Sequence, residues 1–211
     1  NRAHNLKIQS TLEPLTVLAE SGAIFGTVAR QSAMRGLSGL EWANSVPGTV
    51  GGAVYGNAGA HGSDVCSDLI MATILHPHSG KEDWPVERLE YQYRSSILKR
   101  EKMDAIILSA LFKVNRSTRE EAQAKIVKYS EKRRKTQPEG ASFGSTFRNP
   151  EGDHAGRLIE AAGLKGHTQG LAQISNVHAN FIINHGDAKA SDIYQLICLA
   201  RNEVKIKFNV D

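Results

Sequence analysis

Hydrophobic residues recur along this chain with two different periods, and the changes of period divide it into three stretches. In the first, Leu6 to Ser10 and Leu15 to Ala19 read as short strands. Ile24, Phe25, Val28 and Ala29 then recur at helical spacing before Gly36, which predicts a helix closed by that glycine. A glycine-rich run follows from Gly48 to Gly62. In the second stretch, Leu69 to Leu75 and Ala105 to Val114 are apolar runs that read as sheet strands, with turn chemistry at His76-Pro77-His78-Ser79-Gly80. Ser117 followed by Glu120 predicts a capping box at a helix start. Glu121 with Lys125 and Glu131 with Lys135 give favourable pairs one turn apart on that helix, which should end near Thr136, ahead of Pro138.

The third stretch begins around Gln137. Leu158, Ile159 and Ala162 precede Gly163 with helical spacing, and Ala179 to Asn184 reads as a strand. A last helix is capped by Ser191 and carries Ile193, Leu196, Ile197, Ala200 and Val204 on one face. Strands and helices in irregular order predict an α+β fold in two parts with a junction near Pro138, residues 1–136 and 137–211.

Composition adds limits. At 211 residues and 40% hydrophobic content the chain can bury a core. The net charge of +4 is spread out. Its one dense basic run, Lys132-Arg133-Arg134-Lys135, suits a solvated helix C-terminus better than nucleic acid. Two distant cysteines, Cys66 and Cys198, indicate neither a disulfide framework nor a zinc site, and no metal is expected. No apolar run approaches the roughly 18 residues of a membrane helix, and Asn1-Arg2-Ala3-His4 does not resemble a signal peptide. A cytoplasmic location, no membrane partner and a monomer are expected. The chain opens on Asn1, in what reads as mid-domain.

The chemistry concentrates in a few segments. Trp42 to Gly62 reads WANSVPGTVGGAVYGNAGAHG, where glycines let backbone approach a ligand and exposed amides can meet a planar or anionic group. It is neither a Walker loop nor G-x-G-x-x-G, and by composition a tight structural turn fits as well as a cofactor loop. By themselves, Arg94 reads as a surface arginine paired with Glu90 or Glu101, Ser145 as part of an ordinary loop or cap, and His178 as a structural polar residue.

Taken together, the motifs give a sharper reading. PGTVGGAVYGNAGAHG resembles the flavin-contacting loop of the UDP-N-acetylenolpyruvoylglucosamine reductases. Tyr93-Arg94-Ser95-Ser96 is similar to that family's Y-R-x-S motif, and Gly144-Ser145-Thr146-Phe147-Arg148-Asn149-Pro150 to its G-S-x-F-K-N-P motif. Ala155 to Glu160 with Gly163 to Gly166, and Gln173 to Ser175 with His178 to Phe181, resemble the substrate domain of its shorter subtype. The resemblance implies a partial FAD-binding domain of the vanillyl-alcohol-oxidase/PCMH type, followed by an α+β substrate-binding domain.

It also implies an activity. NADPH would reduce FAD, and the enolpyruvyl ether of UDP-N-acetylglucosamine enolpyruvate would accept the hydride, giving UDP-N-acetylmuramate for peptidoglycan. Pro47, Gly48, Thr49, Val50, Gly51, Gly52, Asn57, Ala58 and Gly59 would bind the cofactor. Arg94 would stabilise the enolate as its charge gathers on the substrate carboxylate, and Ser145 would protonate the α-carbon. Tyr93, Arg94, Asn149 and Arg148 would contact substrate.

The chain departs from the family pattern in places. Arg148 stands where lysine is usual, and Ser45 where glycine is common. The family's glycine-serine-asparagine motif for the FAD diphosphate and its C-terminal glutamate have no counterpart, and Asp211 is not a substitute for that glutamate. This leaves a truncated, non-catalytic product as an alternative expectation, and predicts an exposed apolar face on Leu15 to Ala29. A sugar oxidase would share the flavin fold but leave Gly144 to Pro150 unexplained.

Overall fold

The computed structural model describes residues 6–9 and 14–211, with side chains from Pro14 onward. Two compact units emerge, Asn1–Glu131 and Lys132–Asp211. Ser10 and residues 1–4, on which two expectations fall, lie outside the described residues.

In the first unit the elements run β1 (Leu6–Gln9), β2 (Thr16–Glu20), α1 (Phe25–Met34), β3 (Leu37–Ser38) and a 3-10 turn at Glu41–Ser45. Next come α2 (Val50–Gly56), β4 (Gly59–Ala60), β5 (Ser63–Asp64), α3 (Val65–Asp68), β6 (Leu69–His76) and β7 (Gly80–Pro85). A 3-10 turn at Val86–Leu89 leads to α4 (Ile97–Arg100), β8 (Ile106–Lys113) and β9 (Asn115–Arg116), and α5 (Arg119–Thr136) carries the chain into the second unit. The strands form an antiparallel sheet in the order β1-β2-β8-β6-β7. Val17 and Ala19 of β2, Ala110 and Phe112 of β8, and Ala72 and Ile74 of β6 point alternate side chains into one core, as period-2 strands must. Phe25, at the start of α1, stacks on Phe112 at 5.3 Å and meets Trp42 edge-on at 5.5 Å. The indole N–H of Trp42 donates to Asp68 at 2.6 Å, and burial pushes the Asp68 carboxyl above its usual range despite that bond.

Several expectations are corrected. Leu15 to Ala29 is largely packed into this core, and only Ile24 within it leaves a large apolar side chain exposed. The segment is therefore mostly but not wholly sealed, with Ile24 as its exposed apolar residue. β7 falls within an expected connection, because GKEDWP is polar apart from one inward residue, Trp84. The start of α5 is shifted by one residue: Thr118 accepts from the Glu121 amide at 3.1 Å, and Glu121 accepts back from the Thr118 amide at 3.3 Å. Ser117 donates to Glu121 at 2.9 Å, and that bond, ahead of the Thr118 amide, lowers the Glu121 carboxyl's pKa.

The second unit contains α6 (Ala155–Ala161), β10 (Thr168–Gln169), β11 (Ala172–Ile174), β12 (Ile182–Asn184) and α7 (Ala190–Phe208). The strands pair antiparallel in chain order. Leu158 and Ile159 of α6, Ile174 and Ile182 of the sheet, and Leu196, Ala200 and Val204 of α7 form its core. Asp192, rather than Ser191, serves the start of α7 by accepting the Lys189 amide at 3.0 Å. The expected strand at Ala179 is narrower, since Phe181 donates back to the His178 carbonyl in a turn before β12. Together the two units bear out an α+β fold.

Candidate active site

In the first unit, the glycine-rich run is not a loop throughout. Thr49 caps α2 by accepting the Gly52 amide at 3.4 Å, and the helix is docked end-on: the Val50 amide donates to Ala23 O and the Gly51 amide to Ser21 O, both at 2.9 Å. A side chain at Gly51 would place its Cβ 2.9 Å from Ser21 Cβ, so this docking needs bare backbone. The amides of Val50 and Gly51 thus serve the docking of the helix start. Gly48 sits at φ +102° with open space where a Cβ would be, and no acceptor among the described residues meets the Gly48 or Thr49 amides. Pro47, Gly48 and Gly52 are exposed around this open backbone.

Asn57 ends α2 in the left-handed region at φ 46°. Its amide donates to Asp64 and to Gln92 O, both at 3.2 Å, and accepts the Cys66 amide at 3.0 Å, with 3% of the residue exposed. Both amide protons and one lone pair of that side chain are used inside the protein, so it fastens the run. Ala58 donates to Ala53 O, and accepts from Val65 N–H, leading into Gly59.

The segment from Tyr91 to Ser96 is fastened to the same helix. Tyr91 donates its hydroxyl to Val54 O at 2.8 Å and Ser96 donates to Tyr55 O at 2.7 Å, which satisfies carbonyls that the end of α2 leaves unpaired. Burial raises the Tyr91 pKa strongly, keeping it a neutral donor. Gln92 and Ser95 exchange backbone hydrogen bonds at 3.0 Å, making a tight corner with Tyr93 and Arg94 at its tip. Arg94 has φ 56°, and its guanidinium donates to Gly59 O at 2.7 Å. Lys99 Nζ donates to Arg94 O at 3.0 Å. Glu90 is taken by Arg100 at 3.2 Å, so the ordinary reading of Arg94 as its ion-pair partner fails. Tyr93 is exposed, with the Arg94 guanidinium 5.2 Å from its ring centre.

In the second unit, Gly144 at φ 85° turns the chain into Ser145, which bridges to Phe181. Asn180, 3% exposed, pins the segment: it accepts the Phe147 amide through Oδ1 and donates to Phe147 O through Nδ2, both at 2.8 Å. Asn149 accepts the Ala155 amide at 3.1 Å, joining the segment to α6. Ser145 and Asn149 line a cavity of about 380 Å³ with His154, Gly156, Arg157 and His178, among others. Arg148 lies instead on a separate cavity of about 160 Å³, floored by Leu158, Ile159, Ala200 and Val204 and edged by Arg201 and Asp211. Asp211 is held by Arg201 and Lys205, and the Arg201 hydrogen bond, ahead of the two positive charges, brings its carboxyl down to about 2.

Residues 4–79 match the model of an FAD binding domain, and residues 136–211 that of the UDP-N-acetylenolpyruvoylglucosamine reductase C-terminal domain. The UDP-N-acetylenolpyruvoylglucosamine reductase of Chloroflexus aggregans is 46% identical over 94% of this chain and 68% of its own length. That of Halalkalibacterium halodurans is 42% identical over 100% of this chain and 71% of its own. This chain belongs to the UDP-N-acetylenolpyruvoylglucosamine reductase family. The crystal structure of the UDP-N-acetylenolpyruvylglucosamine reductase from Thermus caldophilus superimposes with a TM-score of 0.80 at 32% identity, covering 92% of this chain and 70% of that one. The fold of an FAD-binding domain followed by the reductase C-terminal domain is borne out.

Within this reductase-family chain, the residues singled out by motif fall into two clusters. Pro47 to Gly52, Asn57 to Gly59, Tyr93 and Arg94 are joined in the first unit through α2, and Ser145 shares a cavity with Asn149 in the second. Sequence reading missed Tyr91, Ser96 and Asn180 as the residues that fix these clusters. Ser96 did carry a signal, since it precedes Ile97-Leu98 as a helix cap and accepts the Lys99 amide at 3.3 Å. Among the described residues no group of three potential metal ligands converges, and no helix is long and apolar enough to cross a membrane.

Proposed function

We propose that this chain reduces UDP-N-acetylglucosamine enolpyruvate to UDP-N-acetylmuramate with electrons from NADPH, in peptidoglycan precursor synthesis in the cytoplasm. Residues 1–136 would serve FAD and residues 137–211 the nucleotide substrate. Family membership supports the reaction, and one observation in the chain itself carries it: a guanidinium, Arg94, held in a left-handed corner and tied to the carbonyl of Gly59 beside the glycine-rich run.

That run fits a flat cofactor, since Gly48 offers backbone with no Cβ and open space beside it. Pro47, Gly48, Thr49 and Gly52 would hold the ring by main-chain contact, with the Gly48 and Thr49 amides as donors. Val50, Gly51, Asn57, Ala58 and Gly59 would shape that edge from behind. FAD held there would supply hydride chemistry, with NADPH as its reductant. Arg94 would meet the substrate carboxylate with forked donors as negative charge collects there, and Tyr93 would add a hydroxyl donor. Ser145 would hold the proton destined for the α-carbon, on a hydroxyl that lines an open cavity. Asn149 would orient the sugar, and Arg148 would bring positive charge to its phosphates.

The test is NADPH oxidation with the enolpyruvyl nucleotide as acceptor against oxygen alone; turnover with oxygen only would reject the assignment. Ser145→Ala should leave flavin reduction by NADPH near the wild-type rate and slow reoxidation by substrate by roughly 10²-fold or more, the scale of a lost general acid. Stopped-flow absorbance of the flavin separates the two steps, and equal losses in both would remove Ser145 from proton donation.

A further inference from the structure

The glycine-rich run is fastened at both ends by side chains that take no part in the proposed chemistry. Ser45 lies just before Pro47, and His61 just after Gly59. The Ser45 hydroxyl and His61 Nε2 share a hydrogen bond at 3.2 Å, which ties one end of the run to the other. Tyr129 of α5 stacks on the His61 ring, with centres 4.5 Å apart and planes inclined by 17°. His61 has φ 56°, a left-handed backbone that a residue other than glycine keeps only where its surroundings hold it. Beside Ser45, Asn44 donates to Ser130 of α5 and accepts from Arg30 of α1, both at 3.0 Å. Neighbouring residues of one helix therefore grip both ends of the run. Ala122 is the only buried residue of α5, so its seat here depends on this stack and these polar bonds more than on apolar burial.

Between the two ends the backbone has little else to fix it. Pro47 and Gly48 are exposed, and a glycine is free to leave a φ of +102°. The Gly48 carbonyl accepts the Phe25 amide at 3.1 Å, and the Val46 amide donates to Ala43 O at 3.0 Å. We propose that Ser45, His61 and Tyr129 are positioning residues for the cofactor, a strap that sets the Gly48–Thr49 backbone in its binding shape before FAD arrives. A run that sampled other shapes would bind with an affinity lowered by the fraction still competent, and ordering in advance removes that cost. The strap depends on the hydroxyl at position 45, where this chain departs from the glycine common in the family. This inference deepens the cofactor reading of the run and rests on it.

The strap can be cut at two places. Ser45→Ala removes the hydroxyl, Tyr129→Leu removes the stacked ring, and Tyr129→Phe keeps it. FAD binding to the flavin-free chain is measured by titration calorimetry. Hydrogen exchange of the Phe25 and Val46 amides is followed by NMR without flavin, with the amides of β6 as the control for global opening. Ser45→Ala and Tyr129→Leu should each weaken FAD roughly three- to tenfold, the worth of one neutral contact, and speed exchange at Phe25 and Val46 while β6 holds. Tyr129→Phe should match the wild type in both. The double variant Ser45→Ala/Tyr129→Leu should lose less than the product of the two single losses, because either change opens the same strap. Wild-type FAD affinity in both single variants would overturn the proposal. So would weaker binding with unchanged exchange, which would mean that these side chains touch the flavin themselves. Failure of the wild-type chain to bind FAD would instead overturn the cofactor reading, and the exchange rates, which need no flavin, would still show whether the strap holds the run.

Discussion

Gly59→Ala tests whether the glycine-rich run and the Arg94 corner act as one assembly. A Cβ at this position would lie 2.8 Å from Ser63 O, 2.9 Å from Asp64 Cβ and 3.1 Å from Arg94 Nη1. The first two neighbours belong to the short β4–β5 pairing, in which Gly59 faces Asp64, so neither can swing aside as a flexible tip would. Relieving such overlap costs about 1–3 kcal/mol. The backbone of Gly59 is outside the left-handed region, so alanine adds no strain there and reduces the freedom of the unfolded chain, worth about 0.4–1 kcal/mol the other way. The net loss is about 0–2.6 kcal/mol, centred on about 1.3 kcal/mol, which in a chain of this size lowers the melting temperature by about 3–5 °C at the centre of that range. Activity should suffer beyond that: the only one of the three neighbours able to yield is the guanidinium, and moving it by a few tenths of an ångström should lower kcat/KM roughly tenfold while the chain is still folded. Denaturant melts give the stability, and steady-state reduction of the enolpyruvyl nucleotide at 20 °C below the transition gives the activity. An alanine variant with wild-type stability and turnover would refute the close coupling of the two segments.

Two further outcomes concern stability. Thr118→Ala should destabilise the first unit by about 1 kcal/mol through loss of the α5 cap, whereas Ser117→Ala, one residue earlier, should cost less, as denaturant midpoints will show. The depressed pKa of His178 means that the unfolded chain takes up its proton more readily than the folded one. Its contribution to stability is therefore present above the ordinary imidazole value near 6.5 and is lost as pH falls from there through the lower folded value. Melting temperature measured between pH 7.5 and 5 should drop across that window in the wild type, with a smaller drop in His178→Asn.

Much of the scaffold was legible because packing follows periodicity. The Phe25, Val28, Ala29 face and the Leu196, Ala200, Val204 face are buried where the spacing put them. β7 was not legible because an edge strand with one inward residue has almost no hydrophobic signature; Trp84 alone anchors it, under the guanidinium of Arg88 at 3.9 Å. α2 was hidden by its own glycines, poor helix formers, of which Gly51 is needed because Ser21 crowds the helix start. The site motifs identified which residues matter, but not their conformations. Neither the Arg94 guanidinium's bond to Gly59 nor the Asn57 amide's bond to Gln92 can be read from residue types, since each joins partners 35 residues apart.

The way Asn57 is held bears on how this molecule ages. An asparagine side chain is lost to deamidation when the next backbone nitrogen turns and attacks its carbonyl carbon. Here that nitrogen, on Ala58, is committed to Ala53 O at 2.9 Å, and the carbonyl oxygen is committed to Cys66. The folded state therefore shields this amide. An aspartate at this point would set one carboxylate against another, that of Asp64, across the 3.2 Å now spanned by a hydrogen bond. A single spontaneous exchange of nitrogen for oxygen, during some brief opening of the chain, would replace an attraction with a repulsion and leave the damaged molecule unable to close again as before.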